Sequence, residues 1–459
     1  MSTREKKIVK ERHQDSAPGR RILESARMSV REMNKITNED EVHMTTPELT
    51  RLHNYHSETH FIWTEDGYRL EVHRVIKPDK DATINNGKSF VNVPHGDETI
   101  RENTSDDVIN SEYNEKPNLS PLRLTESTEK SSKPAVLLHH GLLSSSADWI
   151  LLGPGKALAY ELCDNGYDVW LGNARGNRYS QYHKKYTTKN KEFWDFSWHE
   201  MGLYDVPAMI DYILDNTGQT SLLYIGYSQG TTAFFVMASE RPEYCGKVKA
   251  MVCLAPIAFL SNQRSPLLKC VVPLHIVMKW AQSYCNINEW FPRNKLQASA
   301  LGTLMRNAPD TFTKTFCACW FYLVAGFGSD QLDKSMLPII FGHFPAGASA
   351  KQIIHYSQTI QSGIFRRFDY GTTKNTKLYG VPEPPAYKLD KVKVPVAIFY
   401  SENDFLNHPN DVDKLADALP NVLEKHKIEY AKFNHIDYLW GRDARSLLYN
   451  KIIKILKRF

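Results

Sequence analysis

The amino-acid sequence predicts an α/β protein with a mostly parallel sheet covered by helices and with an inserted cap or lid subdomain. Short apolar segments alternate with helical segments over residues 134–254, a pattern typical of repeated βαβ units. The alternation lapses over residues 257–385 and returns at the apolar segment 394–400. A glycine-flanked serine, Ser228, stands between a strand segment and a helix segment. The irregular stretch is therefore interpreted as an insertion between late strands of one sheet.

These observations divide the chain into a polar N-terminal extension at residues 1–43, a core formed by residues 44–258 and 389–459, and a cap at residues 259–388. Within the core, residues 78–133 are rich in Asn, Asp, Ser, Thr, Glu and Lys. Such a segment cannot bury enough apolar surface to offset its chain entropy. It is predicted to be a polar surface insertion.

The core elements are predicted from apolar periodicity in chain order. Alternating apolar residues on both sides of the turn Glu65-Asp66-Gly67 predict a β-hairpin over residues 60–75. The last helix carries apolar residues at helical spacing, so one of its faces is expected to pack on the sheet. The other strands are predicted at residues 134–139, 168–171, 222–225, 248–254, 394–400 and 428–433, and the helices at 158–166, 203–216, 230–240 and 444–459.

Composition limits the partners and cofactors of the chain. Its 57 basic and 52 acidic residues are dispersed and leave a net charge of +5, so no nucleic-acid partner is expected and a neutral or apolar substrate is favoured. The seven cysteines are an odd number spread over 459 residues, which does not indicate a dense disulfide framework. The spacing of Cys317-Ala318-Cys319 is too tight for a zinc-binding pair. Neither a metal nor an organic cofactor is predicted.

Targeting and membrane signals are weak in this sequence. Residues 1–30 contain no apolar run that could serve as the hydrophobic region of a signal peptide. No stretch reaches the roughly 18 to 20 apolar residues of a membrane span. The longest apolar run, at residues 316–327, is interpreted as a buried or interfacial helix. Five cap aromatics are expected either to form the cap core or to line an acyl pocket or a lid that contacts a lipid surface: Phe312, Phe316, Trp320, Phe321 and Tyr322.

The segment Gly226-Tyr227-Ser228-Gln229-Gly230 follows an apolar strand and precedes a helix. This is the context of a nucleophile elbow, in which a tight turn exposes a serine at the edge of the sheet of the α/β-hydrolase fold. Ser228 is therefore the predicted nucleophile; the alternative is a serine in an ordinary glycine-rich turn.

A serine nucleophile needs a general base and an acid that orients it, in the chain order Ser, Asp or Glu, His in this fold. Asp404 follows the predicted strand 394–400 and is favoured as the acid, with Glu402 as its nearest rival. Asp411 and Asp413 are interpreted as solvated or helix-capping carboxylates.

His435 is the predicted general acid and base because it follows the last predicted strand and precedes the last helix. The alternatives are His426, which resembles a residue on a helix surface, and His408, in a loop beside Pro409.

The oxyanion of a tetrahedral intermediate needs two backbone N–H donors. One is expected from the residue after the nucleophile, Gln229, and the other from the loop after an early strand. In the segment His140-Gly141-Leu142-Leu143, the Leu142 amide is the predicted second donor.

Beyond the candidate site residues, several segments of the chain match a known family: 64–68, 140–143, 167–177, 226–230, 345–347, 362–363, 368–371, 403–404 and 434–435. Through these segments the chain resembles the gastric and lysosomal acid lipases of the α/β-hydrolase superfamily, and the resemblance covers residues 44–459 apart from the polar insertion. It implies that Ser228, Asp404 and His435 form the catalytic triad, that Leu142 and Gln229 form the oxyanion hole, and that the substrates are triacylglycerols or steryl esters.

The sequence departs from the family pattern in three places. It lacks the expected signal peptide, it carries the insertion at residues 78–133, and Ala308 stands where the resemblance implies the cysteine partner of Cys317. The resemblance implies a secreted or lysosomal location, which the missing signal peptide puts in doubt. No transmembrane segment is predicted.

The predicted function is hydrolysis of neutral lipid esters through an acyl-enzyme, with the cap in contact with a lipid droplet, a micelle or a membrane. Two alternatives remain at this point. One is a carboxylesterase for short soluble esters, and the other is a non-catalytic lipid-binding protein that keeps the fold.

Overall fold

A computed structural model describes most of the predicted core and parts of the region predicted as the cap. The predicted N-terminal extension up to residue 40, most of the polar insertion, and the cap residues Ala308, Phe312, Phe316, Cys317 and Trp320 lie outside the described residues. The described residues are 41–78, 132–274, 288–291, 319 and 321–459.

The described part of the chain contains a nine-stranded mixed sheet with the order β1-β2-β4-β3-β6-β7-β10-β11, and β5 pairs with β2. A separate two-stranded sheet is formed by β8 and β9. The strands are β1 (His56–Trp63), β2 (Tyr68–Ile76), β3 (Ala135–His139), β4 (Asp168–Gly172), β5 (Tyr182–His183), β6 (Leu222–Tyr227), β7 (Val248–Leu254), β8 (Glu289–Trp290), β9 (Ala348–Ser349), β10 (Val396–Tyr400) and β11 (Val422–Lys427).

Helices cover the sheet and continue into the region predicted as the cap. None of the helices in the described ranges is both long and apolar enough to cross a membrane. The α-helices are α1 (Thr46–Leu52), α2 (Leu158–Asp164), α3 (Trp198–Glu200), α4 (Val206–Thr217), α5 (Gln229–Glu240), α6 (Pro266–Val271), α7 (Leu337–His343), α8 (Ala350–Ser362), α9 (Thr372–Tyr379), α10 (Pro409–Ala418), α11 (Asp437–Trp440) and α12 (Asn450–Leu456).

The topology confirms the predicted mostly parallel sheet. Strands β4, β3, β6, β7, β10 and β11 pair in parallel, while the predicted hairpin β1–β2 is antiparallel and joins β4 at one edge. The carboxyl ends of parallel strands meet at one edge of a sheet, and that edge is where ligands bind in such folds. The turns after β3, β6 and β10, which carry predicted site residues, therefore meet at this edge.

The core lies on both faces of the sheet, because the parallel strands are buried on both sides. Strands β3 and β4 have no exposed residue. Alternate residues enter two apolar clusters: Leu138 and Leu171 belong to one cluster, and Leu137 and Trp170 belong to the other. Such continuous apolar strands are typical of a sheet that is covered by helices on both faces.

The last strand departs from its prediction. The prediction of a strand at residues 428–433 is wrong. The last strand of the sheet is β11, which ends at Lys427, and residues 428–433 form the turn that follows it. Strand β11 lies at the edge of the sheet, and its half-exposed sequence Val-Leu-Glu-Lys-His-Lys lacks a strong apolar pattern. The apolar residues Ile428 and Phe433 that suggested a strand are buried beneath the turn. His426, whose surroundings suggested a helix surface, lies on β11 and pairs with Phe399 of β10.

The final helix also differs in detail. Residues Arg445–Tyr449 form a π-helical turn that continues into α12, and the helix ends at Leu456 rather than at Phe459. Its apolar face is buried as predicted, at Leu448, Ile452 and Leu456. The end of the predicted N-terminal extension is packed as well, since Val42 is buried against Gly342 of α7.

A buried ion cluster joins three separate segments of the core. The Arg175 side chain, in the loop after β4, donates through Nε to Asp205 Oδ1 (2.7 Å) and through Nη2 to Asp66 Oδ1 (2.9 Å). The Arg175 backbone N–H donates to the second oxygen of Asp205 at 3.0 Å. Only 1% of the Arg175 side chain is exposed. Removing the cation would leave two carboxylates without their charge partner in a poorly solvated site.

Arg175→Met is therefore expected to lower the free energy of unfolding by about 3 to 5 kcal/mol. Urea unfolding of the purified protein measures this loss. The control is Arg442→Met, which removes an exposed cation beside Asp330 and is expected to cost far less, because exposed ion pairs contribute little to stability. Equal losses in the two variants would contradict a structural role for the buried cluster.

Candidate active site

Ser228 occupies the tight turn between β6 and α5. Its backbone has φ 50° and ψ −115°, a conformation that non-glycine residues adopt only when the surrounding structure enforces it, at a cost of about 1 to 3 kcal/mol. The Ser228 N–H donates to Leu254 O at 2.9 Å, and Ser228 O accepts the hydroxyl of Thr231 at 2.6 Å. The turn is thus bonded on both sides to neighbouring elements.

The two flanking glycines are required by close backbone contacts. A Cβ atom at Gly230 would lie 2.1 Å from the carbonyl oxygen of His139, at the end of β3. A Cβ atom at Gly226 would lie 2.9 Å from the backbone of Gly230 itself. Helix α5 therefore begins in direct contact with the adjacent strand, and this contact holds Ser228 at the carboxyl edge of the sheet.

The structure brings the three predicted triad residues together. His435 Nε2 lies 2.9 Å from Ser228 Oγ, and His435 Nδ1 lies 2.7 Å from Asp404 Oδ2. Because a carboxylate only accepts, Nδ1 carries the proton and Nε2 is left to accept from the serine hydroxyl. Asp404 is fully buried. Its other oxygen, Oδ1, accepts the N–H groups of Leu406 and Asn407, both at 2.8 Å.

The rival carboxylates lie elsewhere. Glu402 points to the surface and bonds Lys427 Nζ at 2.9 Å. Asp411 accepts from Asn262, and Asp413 accepts from Lys425.

The rival histidines are also accounted for. His408 is the N-cap of α10, where its ring accepts from the N–H of Asn410. His426 lies on the edge strand β11, on the other side of β10 from β7. Neither histidine contacts Ser228.

The two predicted oxyanion donors lie on either side of the serine. Gln229 is the first residue of α5, and Leu142 follows β3 and lines the cavity at Ser228. The backbone N–H groups of Leu142 and Gln229 donate no hydrogen bond to any described residue. Both N–H groups thus remain available to an oxygen atom bound beside Ser228 Oγ.

His140, which precedes this loop, fixes the loop in place. Its Nδ1 bonds the carbonyl oxygen of Gly141 at 2.8 Å, and its Nε2 accepts the N–H of Ala174 at 3.1 Å. Burial lowers the pKa of His140 to about 4. A neutral ring with its proton on Nδ1 satisfies both bonds, so this histidine acts as a structural link between the turns after β3 and β4.

A cap segment that the sequence did not identify holds the acid and base loops together. The carbonyl oxygen of Ala325 accepts the N–H of Phe405 at 3.1 Å and the N–H of His435 at 3.3 Å. The carbonyl oxygen of Gly326 accepts Asn434 Nδ2 at 3.1 Å. The available signal in the sequence was the glycine at residue 326, near the end of the apolar run 316–327; in the structure Gly326 has a positive φ of 129°.

Two further residues support the base. The Tyr227 hydroxyl donates to the carbonyl oxygen of His435 at 2.8 Å. Asp437 Oδ2 accepts the N–H of Asn434 at 2.8 Å and the hydroxyl of Ser329 at 2.6 Å. Burial raises the pKa of Asp437 to about 7. These bonds fix the backbone on both sides of the His435 imidazole.

A cavity of about 410 Å³ opens at Ser228 Oγ. Most of its lining side chains are apolar or aromatic and come from both the core and the region predicted as the cap. Phe321, one of the five predicted cap aromatics, lines this cavity and is buried against Phe341, Phe344 and Trp440. Tyr322 is half-buried and bonds the carbonyl oxygen of Ser329. The described cap aromatics thus serve both as cap core and as cavity wall.

Known proteins are similar in sequence to this chain over most of its length. A family model described as "alpha/beta hydrolase fold" matches residues 134–442, and one described as "Partial alpha/beta-hydrolase lipase region" matches residues 46–153. Lipase 3 of Drosophila melanogaster is 44% identical over 72% of this chain and 84% of its own length.

Two mammalian relatives align over nearly the whole chain. The gastric triacylglycerol lipase of Bos taurus is 34% identical over 92% of this chain and 94% of its own length. The lysosomal acid lipase/cholesteryl ester hydrolase of Homo sapiens is 32% identical over 91% of this chain and 92% of its own length. With these relatives, the family models and the parallel sheet described above, the chain belongs to the acid lipase family of the α/β-hydrolase superfamily and is a serine ester hydrolase.

Proposed function

We propose that this protein hydrolyses neutral lipid esters, triacylglycerols or steryl esters, by two-step acyl transfer at Ser228. Ser228 Oγ attacks the ester carbonyl carbon while His435 Nε2 takes its proton. His435 then gives that proton to the leaving alcohol, and an acyl-enzyme remains. Water attacks the acyl-enzyme in the same way and releases the fatty acid. Asp404 orients the imidazole and stabilises its protonated form.

The Leu142 and Gln229 amides are the proposed donors to the oxyanion of both tetrahedral intermediates. An oxyanion-hole donor contributes roughly 3 to 4 kcal/mol to lowering the barrier. Gln229 sits at the first turn of α5, where the helix dipole also favours negative charge. The anion would therefore form against two fixed N–H groups in a site largely shielded from water.

The observation that carries the proposal is the chemical character of the cavity at the triad. No lysine or arginine lines it among the described residues, and Asp148, its one charged lining residue, accepts a hydrogen bond from Ser144. The described lining therefore offers no cationic side chain to a phosphate or carboxylate on the substrate, while its apolar wall suits acyl chains. This arrangement favours an uncharged, largely apolar ester.

The relatives support the same substrate class, since those named above include a triacylglycerol lipase and a cholesteryl ester hydrolase. We further propose that the region predicted as the cap contacts the surface of a lipid droplet, micelle or membrane, and that the protein is secreted or lysosomal, as its resemblance to the gastric and lysosomal lipases suggests.

Activity against esters of increasing acyl length tests the substrate class. We expect Ser228-dependent hydrolysis of emulsified triolein or cholesteryl oleate, with a rate that rises when a shorter ester passes its solubility limit. Fatty-acid release from triolein is compared with release from cholesteryl oleate over the same pH series, and the difference in rate shows whether triacylglycerols or steryl esters are preferred. Activity confined to dissolved short-chain esters would favour the carboxylesterase alternative.

Covalent labelling with a fluorophosphonate probe tests the nucleophile. Labelling is expected at Ser228 alone and is expected to vanish in Ser228→Ala. The matched control is Ser357→Ala, since Ser357 lines the same cavity but bonds Ile353 O and should leave labelling intact. Persistent labelling of Ser228→Ala would overturn the assignment.

Asp404→Asn should slow ester hydrolysis by roughly 10³- to 10⁴-fold because the base loses its correct tautomer.

Gly326→Ala tests whether the cap segment positions the triad. A Cβ atom at Gly326 would lie 2.0 Å from Asn403 O, so the loops that carry Asp404 and His435 must shift. We expect kcat for a soluble ester to fall by about 100-fold or more, because misplacement of catalytic groups by about 1 Å has that effect.

Gly328→Ala is the matched control for this variant. Gly328 also has a positive φ, of 81°, but its nearest neighbour to a new Cβ is a lysine carbon at 3.9 Å. The two variants therefore share the backbone strain and differ in the clash. If both lose the same activity, or neither loses any, the proposed positioning role is wrong.

A further inference from the structure

An exposed aromatic and cationic surface lies on the three-stranded part of the sheet formed by β1, β2 and β5. We call it the hairpin face and define it by Phe61, Trp63, Arg69, Tyr182 and Lys184. Trp63 pairs with Arg69 across β1 and β2, and Arg69 pairs with Tyr182 across β2 and β5. The three aromatic residues are 44–49% exposed, an unusual exposure for adjacent large apolar side chains.

The hairpin face is ordered by contacts among its own side chains. The Arg69 guanidinium carbon lies 4.6 Å from the ring centre of Phe61 and 4.4 Å from that of Tyr182. Lys184 Nζ lies 5.0 Å from the ring centre of Trp63, which meets Tyr182 edge to face at 5.5 Å. These cation–π contacts fix the positions of the rings relative to one another and keep both charges beside apolar surface.

Neither cation of the hairpin face has a counter-charge in the part of the chain that the structure describes. Among the described residues, no carboxylate lies within 4.0 Å of the charged nitrogens of Arg69 or Lys184. The adjacent Lys185 is exposed as well. The nearby carboxylates are bound to other side chains: Glu65 to Arg241, Asp66 to Arg175 and Glu71 to His73. The face therefore presents a net positive charge to an outside partner.

The hairpin face lies at the same edge of the sheet as Ser228. Strand β2 runs antiparallel to β4, so its first residues lie where the parallel strands end. Strands β2 and β6 are three positions apart in the sheet, a separation of roughly 14 Å at the usual strand spacing. Gln181, beside Tyr182, donates to Glu289 at 3.2 Å. The next residues after Glu289, Trp290 and Phe291, line the cavity.

We propose that the hairpin face is a docking surface for an anionic lipid–water interface and holds the enzyme on that surface beside the mouth of the cavity. This proposal rests on the proposed lipase function, because it names the surface on which that activity takes place. Tryptophan and tyrosine rings favour the headgroup depth of a bilayer, where one end of the ring is apolar and the other is wet. Unpaired lysine and arginine side chains add attraction to anionic lipids.

Sedimentation of the purified protein with vesicles tests this proposal directly. The probes are phosphatidylcholine vesicles with and without phosphatidylserine, at low and high salt. We expect tighter binding to the anionic vesicles and weaker binding at high salt. The double variant Arg69→Gln/Lys184→Gln should lose roughly 25-fold in affinity for anionic vesicles, from about fivefold for each cation removed. Trp63→Ala/Tyr182→Ala should weaken binding to both kinds of vesicle by about tenfold or more.

The matched control is Lys377→Gln/Leu378→Ala, which removes an exposed cation and an exposed apolar residue at α9, outside the hairpin face. This control should bind vesicles like the unaltered chain. All variants should hydrolyse a dissolved short-chain ester at the unaltered rate, which shows that their sites are intact.

Two results would overturn the docking proposal. One is vesicle binding by the hairpin-face variants equal to that of the control. The other is binding of the face to heparin but not to phosphatidylserine vesicles, which would assign it to an acidic polysaccharide. Failure of the lipase function has a different signature, namely no Ser228-dependent hydrolysis of emulsified triolein or cholesteryl oleate by the unaltered chain, whether or not it binds vesicles.

Discussion

The close contact between the first turn of α5 and the end of β3 is the constraint on which the catalytic edge depends. The carbonyl oxygen of His139 lies where any side chain at residue 230 would have to begin. Because the helix starts this close to the strand, the chain must turn sharply at Ser228 and accept a strained backbone there. The same contact brings the loop after β3, with its free Leu142 amide, beside the Gln229 amide. One steric requirement thus sets both the nucleophile and the proposed oxyanion donors.

The acid and the base are held by a different part of the molecule. Asp404 and His435 lie on separate loops, and the carbonyl oxygens of Ala325 and Gly326 bond to both loops. Because residues 321–325 also supply the cavity wall at Phe321, the region predicted as the cap is bonded directly to the loops of Asp404 and His435 on this side of the site. The Gln229 side chain makes a second connection, donating to Gln352 of α8 at 2.8 Å. A displacement of this region would therefore change the positions of the loops that carry Asp404 and His435.

Much of the fold and the core of the site were predictable because their signals are local. The parallel strands are continuous apolar runs, and Ser228 lies between glycines that follow such a run. Asp404 and His435 were identified by chain order relative to Ser228. The edge strand β11 was missed because an exposed strand needs few apolar residues, whereas the buried turn after it contains Ile428 and Phe433. The role of Gly326 depends on contacts with residues far away in sequence, which periodicity does not reveal.

The bond from the Tyr227 hydroxyl to the backbone of His435 joins residues 208 positions apart. During synthesis, the chain leaves the ribosome from its N-terminus, so β1 to β7 and the serine turn can form before the base exists. The proposed nucleophile and base can therefore meet only after the chain has been made as far as residue 435. Assembly of the proposed site is thus a late, long-range step of folding.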